Sequence, residues 1–242
     1  FGGVNYYPNQ YTSFDKFFPQ GGSNSLSGYA VREICNDKEG NIWIGTEDGG
    51  LNKLNHKTGV FEHFKPTGDK SSISHTNIHG LLVVDDELWI GTFERGLDVM
   101  DIKTSKVIRH YRAGQAPNEL KSNFIESLLK TRSGEILVGT SFGLYRYNRA
   151  GNDFTLLNEV PGNLHYSNLI EDNHGTIWAS SLRDGLYFYN PTNRTSGYYK
   201  YEENNKKSLS SNAINSTFVD AKGGLWVATE NGLNQFNEKE KT

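Results

Sequence analysis

GNIWIGTEDGGLNKLN, from Gly40 to Asn55, predicts a β-strand, a tight turn and a second strand. The same pattern returns in phase at four later places in the chain. These copies are DELWIGTFERGLDVMD (86–101), GEILVGTSFGLYRYN (134–148), GTIWASSLRDGLYFYN (175–190) and GGLWVATENGLNQFN (223–237). Five copies of one strand-turn-strand unit predict a repeat architecture.

The period of the repeat selects the fold. Successive copies are separated by 46, 48, 41 and 48 residues, measured between the large apolar residues of their first strands. Repeats of this length without helical periodicity are typical of propeller blades, each a sheet of four strands. The 26 glycines, 13 tyrosines and 13 phenylalanines agree with strands joined by glycine turns. The sequence therefore predicts an all-β protein, a β-propeller of four-stranded antiparallel blades.

The blade boundaries follow from the phase of the repeat. Residues 1–18 match the third and fourth strands of a first partial blade, because GGVNYYPNQYTSFDKFF has the spacing of GGLNKLNHKTGVFEHFK. We expect residues 1–242 to form one segment of about five blades, an incomplete part of a larger propeller. Whole blades are predicted at 25–64, 72–111, 119–157 and 164–201, and a last blade without its outer strand at 208–237. The innermost strands are predicted to begin near Val31, Ile78, Ile125, Tyr166 and Ile214.

Composition argues against several classes of partner. The formal net charge is −3 and both signs are interspersed, so no basic field predicts binding to nucleic acid or to an anionic membrane. No apolar run approaches the roughly 18 residues of a membrane span, and FGGVNYYPNQ lacks the pattern of a signal peptide. Cys35, the one cysteine, cannot form an internal disulfide and is expected to be a buried, inert thiol.

The pattern G-x-I-W-I-G-T-x-x-G-L-x-x-[FYL]-[ND], as in 40–55 and 175–190, resembles the two-component regulator propeller repeat. In that family the repeats build the extracytoplasmic sensor region of hybrid two-component histidine kinases, found especially in gut Bacteroidetes. They typically form two seven-bladed propellers ahead of a membrane helix. The resemblance implies part of a seven-bladed propeller in the periplasm that senses oligosaccharides from complex glycans. It implies a homodimer in the full-length protein. We expect no cofactor, metal or catalytic residue in this part of the chain.

The residues that every copy repeats are expected to be scaffold. An aromatic or large apolar residue that recurs in register packs neighbouring blades together. This structural role is assigned to Trp43, Trp89, Leu137, Trp178 and Trp226.

Function is expected where the copies differ. The turn between the second and third strands varies, as does the long polar connection from the fourth strand to the next blade. Both lie on one face of a four-stranded meander, and binding residues gather on such loops. Arginines there are predicted to bind a carboxylate, sulfate or vicinal hydroxyls, and aromatic residues to stack on a sugar ring. The predicted ligand-binding residues are Tyr29, His75, Asn77, Phe93, Glu94, Arg95, Asn123, Phe142, Tyr166, Arg183, Asp184 and Asn212.

Metal sites have little support in the sequence. His75 and His79 lie four residues apart at the start of a predicted strand, without HExxH or cysteine partners. The acidic run 85–87 lacks the DxDxDG pattern of a calcium loop and is expected to be a solvated turn.

Two other functions remain open. The enzyme alternative is a propeller lyase of the streptogramin-inactivating type, whose repeats also carry D-x-x-G-x-I-W. Such an enzyme needs a general base on one face, and His75, His165 and Glu94 are the candidates. The third alternative is a propeller that binds another protein through the variable face or the blade edges.

Overall fold

The computed structural model describes residues 16–20 and 24–237, and its strands form five antiparallel sheets, which we call blades 1 to 5. Blade 1 contains β1 (Val31–Asn36), β2 (Ile42–Thr46), β3 (Leu51–Leu54) and β4 (Phe61–Phe64). Blade 2 contains β5 (Ile78–Val84), β6 (Glu87–Thr92), β7 (Leu97–Asp101) and β8 (Lys106–Tyr111). Blade 3 contains β9 (Ile125–Lys130), β10 (Ile136–Thr140), β11 (Leu144–Asn148) and β12 (Asp153–Leu156). Blade 4 contains β13 (Tyr166–Glu171), β14 (Ile177–Ser181), β15 (Leu186–Asn190) and β16 (Thr195–Tyr199). Blade 5 contains β17 (Ile214–Val219), β18 (Leu225–Thr229) and β19 (Gly232–Gln235).

Each blade is a meander in which consecutive strands pair. The innermost strands β1, β5, β9, β13 and β17 contact one another in that order, so the blades follow a common axis. The predicted all-β propeller is confirmed, and each innermost strand begins at the residue that the sequence indicated. Among the described residues there is no helix that could cross a membrane.

The core of the molecule lies between blades. Trp43 of blade 1 packs with Ile78 and Leu88 of blade 2, and Trp89 of blade 2 packs with Ile125 of blade 3. Leu137 and Trp178 occupy the same place in the next two interfaces. Because burial of such side chains contributes about 1.5–3 kcal/mol each, these residues stabilise the stacking of neighbouring blades.

In blades 1 to 3, a glycine next to the last residue of the second strand lets the following blade approach closely; the same position is Ser180 in blade 4 and Ala228 in blade 5. A Cβ atom on Gly45 would lie 2.7 Å from the Cγ2 atom of Ile78, and one on Gly91 would lie 2.8 Å from the carbonyl oxygen of Ile125. The following threonine closes the turn: the Thr46 hydroxyl donates to the carbonyl oxygen of Gly50 at 2.9 Å. These Gly-Thr pairs therefore set blade spacing and turn geometry.

Two expectations need correction, those for Cys35 and for Glu87. Cys35 is half-buried rather than buried, and burial, assisted by the charges of Glu33 and Asp37, raises its thiol pKa to about 12. Glu87 belongs to β6 and pairs with Arg109 at 2.6 Å, so it is not part of a solvated turn. Asp85 and Asp86 are exposed turn residues.

The two ends of the blade series differ from its middle. The strands predicted within residues 1–15 lie outside the described residues. Residues 16–20 form no regular secondary structure. Phe17 of this segment packs edge-on against Phe61 of blade 1, with ring centroids 5.8 Å apart. Blades 1 and 5 expose apolar side chains, with Ile34 61% and Phe218 60% accessible.

Candidate functional site

The second-to-third strand turn of each blade is hydrogen-bonded to the residue that precedes the innermost strand. The amide of Phe93 donates to the carbonyl oxygen of Asn77 at 3.1 Å, and that of Leu182 donates to His165 at 3.0 Å. The corresponding bonds in blades 1, 3 and 5 join Glu47 to Ala30, Ser141 to Phe124 and Glu230 to Ala213. The variable turns and the variable connections thus form one surface, which we call the loop face.

Every innermost strand carries a β-bulge close to this face. The pairing register with the second strand shifts after the first residue of β1, β5, β9, β13 and β17. A bulge adds a residue outside the regular ladder and re-aims its side chain. The bulged residues are Arg32, His79, Glu126, Ser167 and Asn215.

Three consecutive bulge residues contact one another. The Nη2 atom of Arg32 lies 3.0 Å from Nδ1 of His79, and this Nδ1 lies 3.3 Å from Oε2 of Glu126. His165, which precedes β13, brings its Nε2 within 3.4 Å of the same carboxylate oxygen. Side chains from four blades therefore converge at the loop end of the axis.

Aromatic rings surround this carboxylate. Phe93 and Phe124 meet edge to face with centroids 4.8 Å apart, and Phe124 contacts the rings of both His79 (4.8 Å) and His165 (5.3 Å). We call the six residues of this group the axial cluster: Arg32, His79, Phe93, Phe124, Glu126 and His165.

The axial cluster holds an ionised carboxylate. Burial alone would raise the pKa of Glu126, but its contacts with His165 and His79 outweigh burial and hold the pKa at about 2. The pKa of Glu33, the next residue along β1 from Arg32, shifts in the opposite direction. Burial raises its pKa to about 7 against the lowering effect of Arg32, and the charge of Glu126 raises it further.

Three buried side-chain atoms near the loop face lack a hydrogen-bond partner among the described residues. They are Oε2 of Glu126, Nε2 of His165 and Oδ1 of Asn77. The two histidine contacts of Glu126, at 3.3 and 3.4 Å, do not have the geometry of complete hydrogen bonds. Buried polar atoms without partners are uncommon in folded proteins, and strain, a functional role or a bound water or ion accounts for them.

The predicted site residues divide into groups. Phe93 belongs to the axial cluster, and His75 and Asn77 adjoin it: the His75 ring lies 6.3 Å from that of Phe93, and Nδ1 of His75 accepts from the amide of Asn77. The other predicted residues that are exposed are Tyr29, Glu94, Arg95, Phe142 and Arg183.

Other predicted residues serve the scaffold. The side-chain oxygens of Asn123 and Asn212 accept from the amides of Ala113 and Tyr201 at 2.7 and 2.8 Å, which fixes the connections between blades. Asp184 accepts from the Lys200 ammonium at 2.9 Å.

Tyr166 is corrected from a stacking residue to a core residue. It is completely buried, and its hydroxyl donates to the carbonyl oxygen of Pro161 at 2.8 Å. Its ring therefore has no surface left for a sugar.

The enzyme candidates converge only in part. His165 approaches Glu126, whereas Glu94 is exposed in its turn with a φ of 60°. Within residues 16–20 and 24–237, histidine, cysteine, aspartate and glutamate side chains form no group of three arranged to hold a metal ion.

Two clefts of about 550 Å³ lie elsewhere, on either side of Phe236 beside β19. In blades 1 to 4 a fourth strand pairs with the third at the corresponding edge. The clefts lie between blades 4 and 5, and neither is lined by a residue of the axial cluster.

Sequence reasoning missed Arg32, Phe124 and Glu126. They occupy positions that differ from blade to blade and do not stand in the variable turns. A comparison of the residues around each strand start, rather than of the turns alone, would have found them.

A five-bladed antiparallel propeller segment with a polar and aromatic cluster on one face defines the class of this protein. Residues 25–48 and 208–231 match the model of the two component regulator propeller family. The chain thus carries repeats of that family, and the predicted resemblance is confirmed.

The chain is also similar to proteins of known sequence or structure. The chain is 28% identical over 233 residues to a protein named histidine kinase P4 from Formosa agariphila, a match that covers 96% of this chain and 14% of that protein. The extracellular domain of a putative hybrid two component system from B. thetaiotaomicron superposes with a TM-score of 0.75 at 22% identity, over 90% of this chain and 30% of that one. PorZ, a surface component of the type-IX secretion system of Porphyromonas gingivalis, superposes with a TM-score of 0.65 at 16% identity, over 95% of this chain and 34% of PorZ. The chain therefore spans a minor part of these relatives, and the solved structures bear on its fold alone.

Proposed function

We propose that this chain is the extracytoplasmic, periplasmic ligand-sensing part of a hybrid two-component signalling protein, and that its ligands are oligosaccharides released from complex glycans. The axial cluster carries the proposal, because it places unpartnered polar atoms beside aromatic rings on the face where the blades differ. The family repeats and the histidine kinase relative support the sensor role.

The proposed mechanism uses a rigid scaffold and a variable face. The cores between blades fix the positions of the loops, so a ligand meets a preformed surface with little ordering cost. Ligand binding at the loop face shifts how two sensor chains associate, and the signal passes to a kinase through a membrane helix outside these residues. This part of the chain catalyses no reaction.

A thermal-shift screen with plant and host oligosaccharides tests the proposal. A saccharide at a hundredfold excess over its dissociation constant adds about 2.7 kcal/mol of stability, which raises the Tm of a domain of this size by about 5–10 °C. If a folded sample shows no shift with any saccharide, the carbohydrate part of the proposal is wrong.

A lyase is the second candidate, favoured by the contacts of His165 and His79 with the Glu126 carboxylate. Turnover of a lactone antibiotic by the purified chain would support it, and a His165→Gln variant should then lose the activity. Binding of a stable protein partner, together with no thermal shift for any saccharide, would instead favour a propeller that binds another protein.

A further inference from the structure

A histidine of blade 2 ties one connection of the loop face to the body of the blade. His110 lies in β8, opposite Asp98 in β7. Its Nδ1 atom is 2.6 Å from Oδ1 of Asp98, and its Nε2 atom is 2.8 Å from the carbonyl oxygen of Lys70, in the connection between blades 1 and 2. We propose that His110 is a proton-dependent latch, which holds this connection when both ring nitrogens carry hydrogen and releases it when one proton is lost.

The partners of His110 require both ring nitrogens to be donors. A carbonyl oxygen only accepts hydrogen bonds, so Nε2 carries a hydrogen toward Lys70. Asp98 is completely buried, and its Oδ2 atom accepts from the amide and from the hydroxyl of Ser74, both at 2.7 Å. The Arg112 guanidinium lies 3.4 Å from Oδ1. Donors on both oxygens favour an ionised carboxylate, which accepts from Nδ1. His110 is therefore an imidazolium in this structure.

The surroundings of the ring decide which proton His110 loses. Among the described residues, Arg112 is the one further charged side chain in an ion pair with Asp98. Nδ1 keeps its hydrogen, because a lone pair that faces a buried carboxylate is repelled without relief from water. Nε2 is on the more exposed side of the ring and faces a neutral carbonyl oxygen. Loss of its proton brings two lone pairs together and breaks the bond to Lys70.

Blade 1 contains the same histidine without the carboxylate. His63 lies at the place of His110, and its Nε2 atom is 2.7 Å from the carbonyl oxygen of Ser25. The residue opposite is Asn52, whose side-chain oxygen accepts from the amide of Ser27 at 2.9 Å. Because an amide side chain places no charge beside the ring, a neutral His63 with hydrogen on Nε2 keeps its bond to Ser25. Blade 1 therefore serves as an internal control.

Release of the latch changes the loop face. The connection 65–77 ends in His75 and Asn77, which adjoin the axial cluster. The Val107 amide of β8 donates to the carbonyl oxygen of Ser71 at 2.9 Å, so exchange of this amide reports whether the connection is in place. Imidazole gains and loses its proton close to neutral pH. The latch therefore makes the mobility of this part of the loop face depend on pH, whatever ligand binds there.

Nuclear magnetic resonance of the purified chain tests the protonation directly. At a pH at which His63 is neutral, both ring nitrogens of His110 should have the chemical shifts of protonated nitrogens. A neutral His110 ring under these conditions would overturn the inference. The measurement uses the unmodified protein, so it does not depend on the folding of a variant.

Hydrogen exchange tests the release of the connection. Between about pH 6 and about pH 8 the protection of the Val107 amide, corrected for the intrinsic effect of pH, should fall about tenfold, because hydrogen bonds of charged groups are the strong ones. The Phe61 amide is the matched probe, since it donates to Oδ1 of Asn24 at 2.8 Å at the equivalent place in blade 1, and it should keep its protection. Equal changes at both amides, or no change at Val107, would overturn the latch.

Two variants remove the latch in different ways. Asp98→Asn gives blade 2 the pair found in blade 1, and His110→Gln keeps a donor for the Lys70 carbonyl oxygen but cannot titrate. In both, the protection of the Val107 amide should no longer depend on pH. His63→Gln is the control variant and should retain the full pH dependence at Val107. A folded Asp98→Asn or His110→Gln protein with the pH dependence of the unmodified chain would overturn the inference.

Discussion

The indole Nε1–H of Trp43 donates to Oδ2 of Asp37 at 3.0 Å, across the hairpin that joins β1 and β2. The other oxygen of Asp37 accepts from the amides of Glu39 and Asn41 at 3.0 and 2.9 Å. One carboxylate thus closes the turn and holds the largest residue of the core between blades 1 and 2. The pair recurs six residues apart as Asp172 with Trp178 and as Asp220 with Trp226.

Replacing Asp37 with alanine should destabilise the protein by about 2–3 kcal/mol, because the buried indole N–H and two turn amides lose their acceptor. The free energy of unfolding in urea measures the loss. Thr131→Ala is the control in blade 3, where Leu137 has no indole N–H and Thr131 Oγ1 accepts from the Glu135 amide at 3.0 Å and lies 2.8 Å from Oγ of Ser133. An equal loss in both variants would contradict a special role for the indole bond.

Stability should fall in acid through these aspartates. For Asp37, burial raises the pKa, but hydrogen bonds from Asn41, Trp43 and the turn amides lower it below the ordinary value of 3.8; for Asp220, the bond from Trp226 is the main cause of lowering. A depressed carboxyl pKa contributes stability above the unfolded value, and this is lost as pH falls through the folded value. Urea unfolding between pH 6 and 3 should show the loss below about pH 4, and Asp37→Asn should show a shallower slope.

Glu33 should contribute a pH dependence of the opposite sign, with stability lost as the pH rises. Its folded pKa of about 7 lies above the unfolded value of 4.5, so the group stabilises the fold at low pH and this stability is lost as pH rises from 4.5 through 7. Glu33→Gln should therefore be about 1–2 kcal/mol more stable than the unmodified chain at pH 8, less than the full shift because the side chain is partly exposed. The two proteins should be nearly equal at about pH 4, below the unfolded pKa, and equal stability at pH 8 would contradict the prediction.

Gly91→Ala should cost about 2 kcal/mol, because the added methyl group would lie 2.8 Å from the carbonyl oxygen of Ile125 in the next blade. Gly80→Ala is the matched control. Gly80 is also buried next to an innermost-strand bulge, yet its Cβ would have its closest contact at 3.4 Å, with Leu128. Thermal unfolding of the two variants should differ by several degrees, and similar midpoints would mean that blade spacing tolerates a methyl group at this place.

The sequence predicted the fold to the level of single strands, because one pattern repeats and each copy confirms the phase of the others. The innermost strands begin at Val31, Ile78 and Ile125 as expected. The core residues could be predicted for the same reason, because packing between blades places a large apolar residue at the same position of each repeat.

The candidate site was predicted only in part. Phe93 and Asn77 were predicted because they lie where the copies of the repeat differ. Arg32 and Glu126 were missed because they lie inside strands. A bulge removes them from the alternation of inward and outward side chains that sequence patterns report. Tyr166 was assigned wrongly although the sequence placed it at the start of a strand, because the sequence does not show that the side chain at this position packs into the core between blades.

The bulges give the chain a set of exchangeable positions. Because the bulged residue is left out of the ladder, the five blades carry arginine, histidine, glutamate, serine and asparagine there on the same backbone. Duplication of a blade therefore copies a stable frame together with one residue that can change without repacking the core. Ligand preference can diverge between related propellers by single substitutions at these places, at little risk to folding.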